Sequence, residues 1–147
     1  MVKTVDRFPV KGIFKMIVRK KGKVIEEYED HNLIVNGARN QAVQFFAGNP
    51  TGRHIASIAF GTNGTSPEVT DTEITGAYTK AVAGFEYPDL GQIQTNWELL
   101  PNENNGMAII EFGLLSADGT LLCRKVRNNP IYKEPDISIE GHWTWIF

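Results

Sequence analysis

The 147-residue chain holds one cysteine and three histidines. A single thiol, Cys123, can form no intrachain disulfide and cannot build a cysteine-rich zinc module. It sits in the alternating run TLLCRKV, where a small buried apolar residue is expected rather than a nucleophile. His31, His54 and His142 are far apart, and none has a second ligand at metal-binding spacing, so no zinc centre and no cofactor is expected. Neither sign of charge dominates: 15 Lys and Arg stand against 17 Asp and Glu. That balance argues against a polybasic nucleic-acid binder and against an acidic disordered chain. No apolar run approaches the ~20 residues of a membrane span. The opening MVKTVDRFPVKG lacks the apolar core of a secretion signal, so synthesis in the cytoplasm with no membrane partner is expected.

What the sequence has is alternation. In VKGIFKMIVRK, Phe14, Met16 and Val18 fall on one side of an extended strand, with Lys11, Lys15 and Arg19 on the other. A turn at Gly22 leads into VIEEYE as the hairpin partner. NLIVNGARNQAVQFFAGNP reads as the one helix, with Asn36 as N-cap, Ala38 to Ala47 helical, and Gly48 and Pro50 as the stop. Ala42, Phe45 and Phe46 are expected to form its apolar face, docked on a sheet because so short a helix is marginal alone. A strand around Ile55, Ile58 and Phe60 opens onto a long Gly/Thr/Ser/Pro loop. One strand is expected in YTKAVAGFEY. After the PDLG turn, a second carries Ile93, Thr95, Trp97 and Leu99 on one face. MAIIEFGLL, the SADG turn and TLLCRKVR form a further hairpin, and NNPIYKEPD links to a last strand. On that strand Ile137, Ile139, Trp143, Trp145 and Phe147 share a side. About eight strands with frequent turn signals predict an all-β protein. The reading is a single jelly-roll-like β-sandwich with one short α-helix, an N-terminal arm over 1–9 and the domain over 10–147.

The remaining polar motifs point to architecture. FGTNGTS lacks the Gly-Lys-Ser/Thr ending of a phosphate loop, so it reads as a flexible loop in which Gly61 and Gly64 take unusual backbone angles. Glu68, Asp71 and Glu73 miss the spacing of a calcium loop and read as a solvated acidic stretch. Glu111, inside an apolar strand, would be costly unpaired. It either faces outward or pairs with a cation such as Arg124 on the returning strand. His142, on the face opposite Trp143, is expected in solvent. Lys3, Arg7, Lys11, Lys15, Arg19, Lys20, Lys21 and Lys23 concentrate positive charge near the start, either protecting a sheet edge or docking an acidic partner. Tyr28, Tyr78, Tyr87 and Tyr132 make no recognisable sugar-binding platform, and no catalytic constellation is present, so no enzyme is expected.

Four phrases carry a resemblance: NLIVNGARNQAV, IASIAFGTNGTSPEVTDTEIT, GMAIIEFGLLSADGTLLCRKV and DISIEGHWTWIF. Together they resemble small virion proteins of tailed bacteriophages, both β-sandwich head cement proteins and the domains that attach tail fibres to a baseplate. The resemblance runs from about Asn32 to Phe147, rests on turns and strand ends, and brings no catalytic residue. It implies a non-enzymatic capsid cement or decoration protein, dimeric or trimeric, bound to the major capsid protein in the virion and made in the host cytoplasm. The alternative is a tail or baseplate component that docks a fibre. Because the chain stops with its last strand, a whole accessory protein is expected rather than a fibre base. Expected contact residues are Lys3, Arg7, Lys11, Lys15, Arg19, Lys20 and Lys21, with Thr62, Asn63 and Thr65 in the loop and Phe147 at the end.

Overall fold

The computed structural model describes residues 10–147; the expected arm over 1–9, with Lys3 and Arg7, lies outside the described residues. Nine strands and one helix follow in order: β1 (Lys11–Lys20), β2 (Lys23–Ile34), α1 (Asn36–Phe46), β3 (Ile55–Gly61), β4 (Tyr78–Ala81), β5 (Gly84–Glu86), β6 (Gln92–Leu99), β7 (Ala108–Ser116), β8 (Leu121–Tyr132) and β9 (Ile137–Ile146). They form one curled antiparallel sheet in the order β4-β3-β7-β8-β2-β1-β9-β6-β5. The fold is therefore all-β with one short helix.

The curl begins at β2. Its residues Gly12-facing Asn32 back to Lys23 pair with β1, whereas Leu33 and Ile34 pair with Arg124 and Cys123 of β8. The two halves of the sheet then face each other across an aromatic core. Phe14 of β1 lies 5.0 Å from Phe112 of β7 between ring centroids, and Trp97 of β6 lies 5.6 Å from Phe60 of β3. Such offset and edge contacts suit the ring quadrupoles and fill the space between layers.

Period-two alternation placed most of this core. Phe14, Met16, Val18, Trp97, Leu99, Ile137, Ile139 and Trp143 are buried, while Thr95 is the polar member of the same inner face. Trp145 is half-buried against the core, and Phe147 at the end of the row is half-exposed. Cys123 is fully buried among apolar neighbours, and burial pushes its thiol pKa well up.

Four elements differ from the sequence reading. The expected single strand in YTKAVAGFEY is two, because the chain changes partner in its middle: the Val82 amide donates to the Ala56 carbonyl of β3, and the Ala83 amide donates to the Asn96 carbonyl of β6. Consecutive strands β4 and β5 thus end on opposite edges of the sheet, and the Val82–Ala83 step joins those edges. The NNPIY segment is no link but the end of β8, with Arg127 to Pro130 bulging where β7 advances only from Ile109 to Glu111. Asn36 is the first helical residue rather than the N-cap; Val35 holds that position and makes no side-chain cap. The helix also docks by the other face: Ala38 and Gln41 are buried, while Val43, Phe45 and Phe46 are exposed.

The helix reverses because polar groups seat it. Gln41 Nε2 donates to the Asp118 carboxylate at 2.8 Å and to Ser116 Oγ at 3.1 Å on the β7–β8 hairpin. Arg53 bonds the Gln41 carbonyl oxygen and the Asn49 backbone carbonyl. At the helix start Gly37 presses on the Leu121 carbonyl, which an added Cβ would meet at 2.2 Å, so only glycine allows that approach.

Candidate interaction surfaces

The long loop between β3 and β4 folds back over the outer side of β3, β7 and β8. Its Ile74 enters a second apolar cluster with Val35, Ala59 and Leu121. Gly113 makes the hollow: a Cβ there would lie 2.8 Å from Ile74 Cδ1. Gly61 ends β3 and does not need a left-handed backbone; it is glycine because a Cβ would stand 2.4 Å from Glu111 Oε1 and 2.7 Å from the Thr75 carbonyl oxygen. Gly64 likewise has no positive φ.

Glu111 does not face solvent. It is fully buried and pairs with Arg124 at 2.8 Å, one of the two outcomes the sequence allowed. Its other oxygen accepts from the Thr75 amide at 2.6 Å. Arg124, also buried, extends to Asp71 at 3.0 Å and to the Asn63 carbonyl at 2.9 Å. Asp71 is therefore part of an anchoring network rather than of a solvated acidic stretch, while Glu68 and Glu73 are exposed. Pairing and hydrogen bonding are what make a buried charge tolerable. Asn63 and Thr65 come together at the rim of a polar hollow of about 260 Å³ beside Arg124; Thr62 is exposed nearby, its amide bonded to the Thr75 carbonyl.

The basic stretch is interleaved with acids. Lys15 faces Glu29 at 3.9 Å, Arg19 bonds Glu140, and Lys20 lies 3.8 Å from Glu134 and 3.9 Å from Asp136. Lys21 sits in the β1–β2 turn with a left-handed backbone and donates its amide to the Asp136 carbonyl. Lys11 is exposed at the start of β1.

Beside these bases, the outer face of β2, β1, β9 and β6 is concave, a groove of about 710 Å³. Lys15, Ile17, Glu27, Glu29, Asn96, Glu98, Glu140 and His142 contribute to it. His142 is half-buried there rather than fully in solvent. Burial, and then Lys15 opposite, hold its pKa below the ordinary value against the raising effect of Glu86 and Glu29. Sequence reasoning missed this groove, because its acids come from three strands that only the sheet order makes neighbours.

A third surface is apolar. The Tyr87–Gly91 turn joins β5 to β6, and the Phe147 amide donates to the Gly91 carbonyl at 2.9 Å, which sets the end of β9 beside that turn. Leu90 is 95% exposed, Tyr87 76% and Phe147 50%, and Phe85 of β5 is also open. Phe147 was singled out from the sequence. Tyr87 and Leu90 gain meaning only from their placement next to it.

Two buried cations close the seam where β2 and β8 diverge: Lys125 pairs with Asp30, and Arg127 with Glu26. The Tyr28 ring lies 5.6 Å from the Lys125 ammonium and 5.0 Å from the Arg127 guanidinium. Among the described residues no group of three or more His, Cys, Asp or Glu side chains is placed to hold a metal ion, and no helix is long and apolar enough to cross a membrane. No protein-family model, curated protein or solved structure matches the chain.

Proposed function

We propose that the chain is a non-enzymatic structural protein of a tailed-phage particle, and that it acts as a capsid cement or decoration protein on the major capsid lattice. The observation that carries the docking role is the exposure of Tyr87 and Leu90 on the β5–β6 turn, to which the end of β9 is hydrogen-bonded. A contiguous exposed apolar patch on a protein surface marks an interaction site more often than chance exposure does. The phage assignment rests on the four sequence phrases and their turn and strand-end pattern.

The curled sheet is read here as a jelly-roll-like sandwich, supported by the aromatic contacts that run from one half of the sheet to the other. On a lattice, a modest apolar contact repeated through a dimer or trimer gains affinity by multivalency without new contacts.

Quantitative mass spectrometry of purified virions whose genome encodes the chain tests the assignment. A copy number equal to that of the major capsid protein, or to a simple lattice fraction of it, supports a cement. A few copies matching tail symmetry would move the chain to the tail or baseplate, and absence from particles would end the virion reading.

A further inference from the structure

We propose that the concave outer face of β2, β1, β9 and β6 docks an extended basic segment of a partner protein. The sheet register places Glu27, Ile17, Glu140 and Glu98 side by side in one row across four strands. All four line the groove. Glu140 is neutralised by Arg19. Glu27 and Glu98, both exposed, have no ion-pair partner among the described residues. They lie three strand spacings apart, about 14 Å, and an extended chain covers nearly that span in four residues at ~3.4 Å each.

The complementary ligand is defined by that row. It crosses the strands in extended form and presents two Lys or Arg side chains four positions apart, one over each unpaired carboxylate. An apolar residue two positions after the first cation, on the same side of the extended chain, sits on half-buried Ile17. The neighbouring row of Glu29, Lys15, His142 and Asn96 supplies one further carboxylate, already held by Lys15, and the Asn96 amide as a polar wall. The helix lies against β8, on the other half of the sheet, and does not cover this face. The proposal stands independently of whether the partner belongs to a virion.

The probe is a capped synthetic peptide containing Lys-Thr-Val-Thr-Lys, with a control in which both lysines are glutamine. Binding to the full chain is followed by NMR chemical-shift mapping at low and high salt. The expected result is salt-sensitive binding of the lysine peptide alone, with shifts confined to β2, β1, β9 and β6. Glu27→Gln/Glu98→Gln should weaken it about tenfold, as loss of two complementary charge contacts implies. Glu68→Gln/Glu73→Gln, on the exposed loop, should leave it unchanged. Equal loss in both variants would show non-specific attraction and overturn the proposal, as would shifts elsewhere on the molecule. Binding seen only in Lys3→Glu/Arg7→Glu would give the groove to the chain's own N-terminal segment and overturn its assignment to a partner.

Discussion

Arg124 and Glu111 lie 2.8 Å apart on adjacent strands, both buried, and between them they hold the β3–β4 loop at three points. Glu111 takes the Thr75 amide, and Arg124 takes the Asn63 carbonyl and the Asp71 carboxylate. The pair thus converts a Gly- and Thr-rich segment into a fixed cover over the sheet.

Removing Arg124 should leave Glu111 as an uncompensated buried charge, whereas removing Glu111 leaves Arg124 still paired with Asp71. Arg124→Met alone is therefore expected to cost about 3–5 kcal/mol in urea denaturation, and Glu111→Leu less. The double variant should lose clearly less than the sum of the two, because Glu111 is then no longer left as a lone buried charge. Additive losses would show that the two side chains do not act as a pair.

Gly113 and Ile74 should be coupled in the same way by volume. A methyl at Gly113 meets Ile74 within 3 Å and should destabilise by about 1–3 kcal/mol. Ile74→Ala in the Gly113→Ala background should recover part of that loss, although Ile74→Ala alone is destabilising. Failure of any recovery in thermal denaturation would mean that the loop does not pack into this hollow.

Acid sensitivity should arise in part at the β7–β8 hairpin. The Ser116 hydroxyl, then the Gln41 amide, hold the Asp118 carboxyl well below its ordinary value of 3.8. A depressed folded-state pKa contributes stability that is complete above the unfolded-state value and drains as pH falls toward the folded-state one. Urea midpoints should therefore fall below about pH 4, the unfolded carboxylate range, and Asp118→Asn should flatten that decline. An unchanged slope in the variant would remove Asp118 from the acid response.

Alternation along β1, β6 and β9 exposed the inner faces of the fold because each strand has one buried side and hydrophobic periodicity records that side. Phe14, Met16, Val18, Trp97 and Leu99 were legible for this reason. The helix was misread because its docking is polar: Gln41 reaches the hairpin through hydrogen bonds that leave no apolar periodicity, and Phe45 and Phe46 are free to face out. The β4–β5 division was invisible because a change of hydrogen-bond partner at Val82 and Ala83 has no side-chain signature. Glu27 and Glu98 are separated by most of the sheet in sequence, so their common row appears only with the strand order. Phe147 could be singled out by its place on an apolar row, but its neighbours Tyr87 and Leu90 read as ordinary turn residues until β9 was set beside them.

The most direct test of the docking account is co-sedimentation of the purified chain with virions stripped of it, comparing wild type with Tyr87→Asp/Leu90→Asp. Both side chains are exposed, so the thermal transition of the variant should match wild type. The account predicts that wild type rebinds at its native copy number and that the variant loses most of that binding. A folded variant that rebinds as wild type does would contradict the account.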